Sequence, residues 1–168
     1  MTNTTLISFV KDRRNSFAIA ALIYLVFMII GMFFAKHTGY FINYKQISWL
    51  SIFSHNMVLA FALVFTGWIT FGISNSIATA INGAFFGNVL MGIWNRYGFC
   101  ALQKVIFPHA VIEILATILF SALGYEVYYF VSALRGEKTY HIRNVLIFAM
   151  IGTILMLIAS IIEGLESI

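Results

Sequence analysis

Five long apolar segments divide this 168-residue chain, and each contains at least 18 residues. A helix rises about 1.5 Å per residue, so each segment can cross a hydrocarbon layer of about 30 Å. The apolar residues run on without the alternation typical of a membrane β-barrel, which favours helices. The sequence therefore predicts an all-α, polytopic transmembrane helical bundle. The five predicted spans cover about residues 17–35, 47–71, 73–94, 106–134 and 145–163.

Composition excludes most other classes of protein. The chain is 61% hydrophobic and only 10% charged, whereas a soluble domain averages about 25% charged residues. The net charge of +4 comes from a few basic residues in short connections, so we expect no nucleic-acid partner. A single cysteine, Cys100, excludes an internal disulfide and a cysteine-based metal cluster. We predict one integral-membrane domain over residues 1–168, with lipid as its surroundings.

Two features of the topology follow from local signals. A tight turn at Gly72 to Asn75 is predicted to separate the second and third spans, with one long helix or a re-entrant segment as alternatives. The basic residues of the N-terminal segment and of the last connection outnumber those on the other side, which predicts a cytoplasmic N-terminus. The first group is Lys11, Arg13, Arg14, Arg135, Lys138 and Arg143, and the second is Lys36, Lys45, Arg96 and Lys104.

The third span has a face suited to close helix packing. Gly83 and Gly87 form a GxxxG pair, which lets two helix backbones approach each other. Packing against another helix of the same chain and a homo-oligomeric interface are both compatible with this pair. On the adjacent stripe, Asn75 is expected to bond to a neighbouring helix.

The most unusual stretch is IFPHAVIEI, residues 106–114, which places polar groups at the start of an apolar span. Pro108 suits the first turn of a helix, where a missing N–H costs nothing. His109 and Glu113 are four residues apart, so they lie on one face of that helix. Glu126 lies thirteen residues beyond Glu113, on a different face and near the opposite membrane surface, and we predict a structural or interfacial role for it.

Tracing the chain through five spans brings further polar residues to the membrane half that contains His109 and Glu113. Glu163 ends the last span on that side, Asn56 lies early in the second span, and Asn82 lies near the middle of the third. An acid inside a membrane helix costs about 2.5–3.5 kcal/mol on insertion scales, so it is usually paired or faces a cavity.

Three functions suit such a cluster. One histidine and two carboxylates can hold a divalent metal such as zinc, which makes this ion the candidate cofactor. The same groups can also serve as an acid–base pair or a proton relay, or form a structural network.

These positions together resemble the pattern of the stage II sporulation protein M family, whose members are small bacterial membrane proteins with typically five spans. That pattern has an Asn early in the second span, an Asn-Gly in the third, a Pro-His-Gly with a Glu four residues after the His, and a late Glu in the last. Here the positions are Asn56, Asn82, Gly83, Pro108, His109, Glu113 and Glu163. Ala110 stands where the family usually has Gly, and the resemblance covers about residues 15–166.

The resemblance implies two kinds of role. The family's namesake is a membrane component of the engulfment machinery in sporulating bacteria, and shorter relatives accompany circular bacteriocins. Because this chain is short and carries no soluble appendage, we expect it to act in the bacterial cell membrane in the maturation or export of a hydrophobic peptide. Maturation here means leader removal or cyclisation. The alternative is a non-enzymatic assembly or immunity subunit, or an engulfment component.

For an enzyme, the resemblance implies an intramembrane, metal-dependent peptidase or cyclase. Glu113 would be the general base or a ligand beside His109, and Glu163 would complete the set. Asn56 and Asn82 would orient a peptide carbonyl or stabilise an oxyanion. The expected partners are the hydrophobic peptide or the subunits of an ABC-type transporter.

Overall fold

The computed structural model describes residues 6–35, 48–137 and 139–166, and within these ranges the chain is helical without a strand. Of the basic residues on which the predicted orientation depends, Lys36, Lys45 and Lys138 lie outside the described ranges. The helices are α1 (Leu6–Asp12), α2 (Arg14–Phe33), α3 (Trp49–Ile69), α4 (Ile73–Tyr97), α5 (Phe99–Val105), α6 (Phe107–Gly124), α7 (Glu126–Leu134) and α8 (Ile142–Glu166).

Five helical segments of the described chain are long and apolar enough to cross a membrane. They are α2, α3, α4, the α6–α7 pair and α8. This confirms the predicted all-α bundle with five spans, whereas the cytoplasmic N-terminus stays a prediction. The short helices α1 and α5 precede α2 and α6, respectively.

The turn between α3 and α4 lies earlier than predicted. Helix α3 ends at Ile69 and α4 begins at Ile73, so the turn occupies Thr70 to Gly72 and Asn75 is already helical. Phe71 and Gly72 both have positive φ angles, of 50° and 81°. A Cβ at Gly72 would lie 2.5 Å from the ring of Tyr125, so both the backbone angle and the available space favour glycine here. The second and third spans are therefore separate helices joined by a tight turn.

Helices α2 and α4 pack backbone to backbone. A Cβ at Gly83 would overlap the carbonyl oxygen of Tyr24, and one at Gly87 would overlap that of Met28. From the other side, a Cβ at Gly31 would overlap the carbonyl of Ala84. The GxxxG pair of α4 thus packs against α2 of the same chain, which is the intramolecular alternative of the two considered from sequence.

Helix α6 occupies the centre of the bundle. In the most apolar stretch of 18 consecutive residues of the α6–α7 segment, 67% of the residues are buried. The corresponding fraction in the other four spans is 22% to 28%. Its side chains pack with those of α3 and α8 in one core cluster. The buried members of this cluster are Ala60, Leu63, Ala116, Leu119, Phe120, Leu123 and Met156. Residues on α6 therefore have neighbours from several helices, which makes α6 the element best placed to assemble a site.

Buried polar groups connect α4 to α6 in the half of the bundle that contains the α3–α4 turn. The Asn75 amide donates a hydrogen bond of 2.7 Å to the carbonyl oxygen of Ser121. The hydroxyl groups of Thr79 and Ser121 lie 2.7 Å apart. The predicted role of Asn75 as a link between helices is confirmed, because its amide group bonds to a neighbouring span.

The fourth span is broken at Tyr125, where α6 ends and α7 begins. Glu126, the first residue of α7, is buried and forms an ion pair with Arg13, the residue between α1 and α2. Thirteen residues of helix correspond to about 20 Å, so this pair is far along the span from Glu113. The prediction that Glu126 points away from the polar cluster and has a structural role is confirmed.

Candidate intramembrane polar site

The site begins at the first turn of α6, where Pro108 lies. The missing N–H of a proline is harmless there, since the first N–H groups of a helix have no partner within it. One turn of helix separates His109 from Glu113, so the two side chains lie on the same face. His109 is buried, and Glu113 is half-buried. The sequence interpretation of IFPHAVIEI as a helix start agrees with the structure.

Glu163, near the end of α8, meets these two residues. One ligand atom each from His109, Glu113 and Glu163 lies within 4.8 Å of the other two. Further along α8, Gly152 allows a close approach to α6, since a Cβ there would lie 2.9 Å from the Phe120 ring. The structure thus brings together three residues that the sequence placed at the same membrane depth. They are called the His109–Glu113–Glu163 cluster below.

Helix α3 contributes two more polar residues. Asn56 is buried, and its side-chain amide interacts with the carboxylate of Glu113. Its neighbour His55 is exposed, yet it interacts electrostatically with Glu113. Asn56 was predicted from sequence, whereas His55 was not assigned to the site.

Tyr24 of α2 is a buried polar residue that sequence analysis did not single out. Its side chain is only 2% exposed, and it interacts electrostatically with Glu113. A signal was present, because Tyr24 is the only residue from Phe17 to Phe33 with a polar side chain. An isolated phenol in so apolar a helix usually has a polar neighbour when it is buried.

No described contact links Asn82 to Glu113. Asn82 is half-buried on α4, about one turn from Thr79, which faces Ser121 of α6. The groups that act on Glu113 belong to His55, Asn56, His109 and Glu163, and Asn82 is not among them. Gly83, the next residue, acts through helix packing against the backbone of Tyr24.

The charge balance of the cluster is unusual. Two carboxylates lie side by side, and within the described ranges no lysine or arginine is among the groups that act on Glu113. Two ionised acids at this separation in an apolar phase repel each other strongly. A shared proton, a protonated imidazole or a bound cation would relieve this repulsion.

The donor set is suited to a divalent metal of the zinc type. Zinc takes histidine nitrogen and carboxylate oxygen at about 2.0–2.2 Å, which puts tetrahedral ligand atoms about 3.4 Å apart. The ligand atoms lie within 4.8 Å of one another, so side-chain rotation would have to close their separations by up to about 1.4 Å. Three protein ligands would leave a fourth position for water or a substrate oxygen. The same residues without a metal can transfer protons.

Comparison with known proteins identifies the family. Residues 20–167 match the sequence profile of the family described as Stage II sporulation protein M. The chain belongs to the stage II sporulation protein M family. No curated protein and no solved structure matches the chain at a significant level. Family membership confirms the resemblance found in the sequence, and the five spans of the described chain agree with a multi-pass membrane protein of this family.

Proposed function

We propose that this stage II sporulation protein M homologue acts in the bacterial cell membrane on a hydrophobic peptide, such as a circular bacteriocin. The step would be maturation of the peptide, by leader removal or cyclisation, or its export. The observation that carries this proposal is the meeting of His109, Glu113 and Glu163, whose ligand atoms lie within 4.8 Å of one another. These residues come from two spans of a helical membrane protein.

The charges of the cluster support a site over simple packing. Elsewhere in the described bundle, helix contacts use neutral groups, such as the Asn75 amide and the Ser121 carbonyl, or an acid paired with an arginine, as in Glu126 with Arg13. Placing two acidic residues in an apolar phase costs free energy, and no described lysine or arginine is among the groups that act on Glu113. Such a pair is therefore a poor means of holding helices together. Groups of this kind inside membranes are usually retained for proton, ion or substrate chemistry.

In the metal-dependent form of the proposal, His109, Glu113 and Glu163 are the ligands. A bound zinc ion would polarise a peptide carbonyl and lower the pKa of a bound water. Asn56 lies beside Glu113 and can hold a carbonyl oxygen or the ligand carboxylate itself. Asn82 would orient the peptide further along the substrate.

In the metal-free form, Glu113 is the general base, and His109 shares the proton that Glu113 accepts. A cyclase must also keep water from the acyl group, so that the amine of the substrate attacks instead. A site within the bilayer supports this requirement, because apolar helices and lipid surround it.

The first experiment measures metal content. The full chain, purified in detergent and loaded with Zn²⁺, is expected to retain about one zinc per chain, and His109→Ala and Glu163→Gln are expected to lose most of it. Glu137→Gln is the matched control, since Glu137 is exposed and bonds to Ser132. A wild-type chain without stoichiometric metal would exclude the metal-dependent form.

The second experiment measures function in the producing cell. Glu113→Gln keeps the size and hydrogen-bonding capacity of the side chain but removes its charge. We expect it to abolish processing or export of a hydrophobic precursor peptide while the chain still reaches the membrane. Full processing by Glu113→Gln would show that neither basicity nor metal ligation at this residue is needed.

A non-enzymatic role as an assembly or immunity subunit, or as an engulfment component, is the second candidate. The buried bonds of Asn75, Thr79 and Ser121 favour it, because here polar residues plainly serve to join helices. In that case the partner would be a transporter of the ABC type or another membrane subunit. This role predicts that changes at Gly83 or Gly87 reduce function through protein level, whereas His109→Ala is tolerated.

A further inference from the structure

We infer that Gly164 is a positioning residue of the His109–Glu113–Glu163 cluster, because its contact with the start of α3 holds Glu163 within reach of the other two ligands. The inference deepens the proposed function and rests on its metal-dependent form. It makes the first turn of α3 part of the construction of a site whose ligands lie on α6 and α8. The family pattern described above includes neither Gly164 nor Trp49.

Gly164 lies directly against Trp49, the first residue of α3. A Cβ at Gly164 would lie 2.7 Å from the Cβ of Trp49, and 3.1 Å and 3.2 Å from its Cα and its backbone nitrogen. The first of these distances is shorter than the contacts that Cβ atoms make in proteins, so a side chain at position 164 would push α3 and α8 apart. The missing side chain of Gly164 therefore sets the distance between the two helices at this level of the bundle.

Neither side of this contact can yield locally. The N–H of Ser51 donates a hydrogen bond of 2.9 Å to the carbonyl oxygen of Ser48, so the backbone around Trp49 is already helical. Helix α8 continues to Glu166, two residues beyond Gly164. The atoms that Gly164 meets are the backbone and the Cβ of Trp49, which a change of rotamer does not move. Crowding here would therefore displace the ends of whole helices.

Such a displacement would act directly on the cluster. Glu163 precedes Gly164, and one of its carboxylate oxygens lies within 4.8 Å of ligand atoms of His109 and Glu113. The surrounding packing must hold metal ligands within about 0.5 Å of their working positions. A methyl group at Gly164 would have to retreat from 2.7 Å to a contact distance of about 3.5–4.0 Å, which exceeds this tolerance.

The test measures Co²⁺ binding to the full chain in detergent, since the visible spectrum of Co²⁺ reports its coordination. For Gly164→Ala we expect Co²⁺ affinity at least about tenfold weaker than in the wild type, as for other changes to groups that support metal ligands. Gly152→Ala is the matched control, because a Cβ there would lie 2.9 Å from the Phe120 ring but about 16 Å along α8 from Glu163. It should lower the melting temperature and leave Co²⁺ affinity within about twofold of wild type.

A second variant separates positioning from general stability. Trp49→Gly removes the Cβ that Gly164→Ala would meet at 2.7 Å and leaves only the contacts at 3.1 Å and 3.2 Å. The double variant Gly164→Ala/Trp49→Gly should therefore regain the Co²⁺ affinity and the spectrum of Trp49→Gly, while its melting temperature stays below that of the wild type. If Gly164 acted only through stability, affinity would follow the melting temperature in every variant, and that outcome overturns the inference.

The remaining outcomes separate the inference from the proposed function. Unchanged Co²⁺ affinity in Gly164→Ala overturns the inference and leaves the metal site intact. A wild-type chain that binds no Co²⁺ overturns the metal-dependent form of the proposed function, and the inference with it. If Gly164→Ala fails to fold, the wild-type chain labelled with 5-fluorotryptophan replaces it. The ¹⁹F resonance of Trp49 should shift when Zn²⁺ is added and that of Trp68 should not, and an unchanged Trp49 resonance overturns the inference.

Discussion

Arg13 and Glu126 are 113 residues apart in the sequence and form a bidentate ion pair. The pair joins the junction between α1 and α2 to the junction between α6 and α7. The Nε and Nη2 atoms of Arg13 lie 3.0 Å and 3.2 Å from the two carboxylate oxygens of Glu126. The guanidinium also lies over the rings of Phe9 and Tyr129, at 4.6 Å and 4.0 Å from their centroids. Both charged side chains are almost fully buried.

Removal of one partner should destabilise the protein strongly. Arg13→Leu leaves the Glu126 carboxylate buried without its cation, and an unpaired buried charge costs about 3–5 kcal/mol. We expect a clear fall in the melting temperature in detergent, measured by intrinsic fluorescence. The double variant Arg13→Leu/Glu126→Leu should recover much of this loss, because it buries no charge.

The neighbouring residue provides the control for this prediction. Arg14 is exposed, so Arg14→Leu should change stability by no more than about 0.5 kcal/mol. Equal losses for Arg13→Leu and Arg14→Leu would contradict a specific role for the buried pair.

The sequence predicted those parts of the site that follow from local periodicity and from counting spans. His109 and Glu113 follow from helical spacing, and Glu163 follows from five crossings of the membrane. Tyr24 could have been recognised as the only polar side chain in its apolar stretch, but the distance between α2 and α6 is set by packing. The pairing of Arg13 with Glu126 could not be predicted, since nothing local relates residues 113 positions apart.

The position of the α3–α4 turn shows why local turn signals were insufficient. Residues 72–75 contain glycine, serine and asparagine, which individually favour turns. The turn nevertheless ends at Gly72, because Asn75 is used inside α4 to bond with Ser121. A tertiary hydrogen bond therefore outweighs the intrinsic preference of asparagine at this position.

The close contact of α2 with α4 gives a prediction at Gly83. Gly83→Ala adds a methyl group against the Tyr24 carbonyl oxygen, so the helices must separate. Overpacking of this kind costs about 1–3 kcal/mol, and we expect a lower melting temperature and a lower protein level in membranes. Gly87→Ala should behave alike.

Ile81 lies on the same helix and serves as the control for the glycines. It is 65% exposed on the surface of the bundle, so Ile81→Ala should leave the melting temperature nearly unchanged. If Gly83→Ala is equally harmless, the helices must tolerate a wider spacing than the structure indicates.

The raised pKa of the Tyr140 hydroxyl predicts that the folded state loses stability in alkaline solution. Burial raises the pKa of the Tyr140 hydroxyl to about 12, with the Glu126 carboxylate acting in the same direction and Arg13 opposing it. The usual pKa of about 10 applies in the unfolded chain. The protonated phenol therefore stabilises the folded state fully below about pH 10, and this contribution is lost as the pH rises through about 12.

Tyr140→Phe tests this contribution, because phenylalanine has no proton to lose. Its melting temperature should fall less steeply than that of the wild type between pH 10 and 12. Tyr97→Phe, at an exposed tyrosine, should keep the slope of the wild type. Parallel slopes for wild type and Tyr140→Phe would show that Tyr140 does not contribute to the alkaline loss of stability.

A metal bound at the His109–Glu113–Glu163 cluster should stabilise the folded chain by mass action. At a free zinc concentration of about 100 times Kd, the expected gain is about 2.7 kcal/mol, provided that the unfolded chain does not bind zinc. The melting temperature should therefore rise with zinc in the wild type and in Arg14→Leu, but not in His109→Ala. The three residues lie on α6 and α8, so bound metal would tie the first turn of α6 to the end of α8. An equal rise in His109→Ala would place the stabilising ion elsewhere, for example at the exposed imidazole of His55, and the cluster would then have to be neutralised by protons.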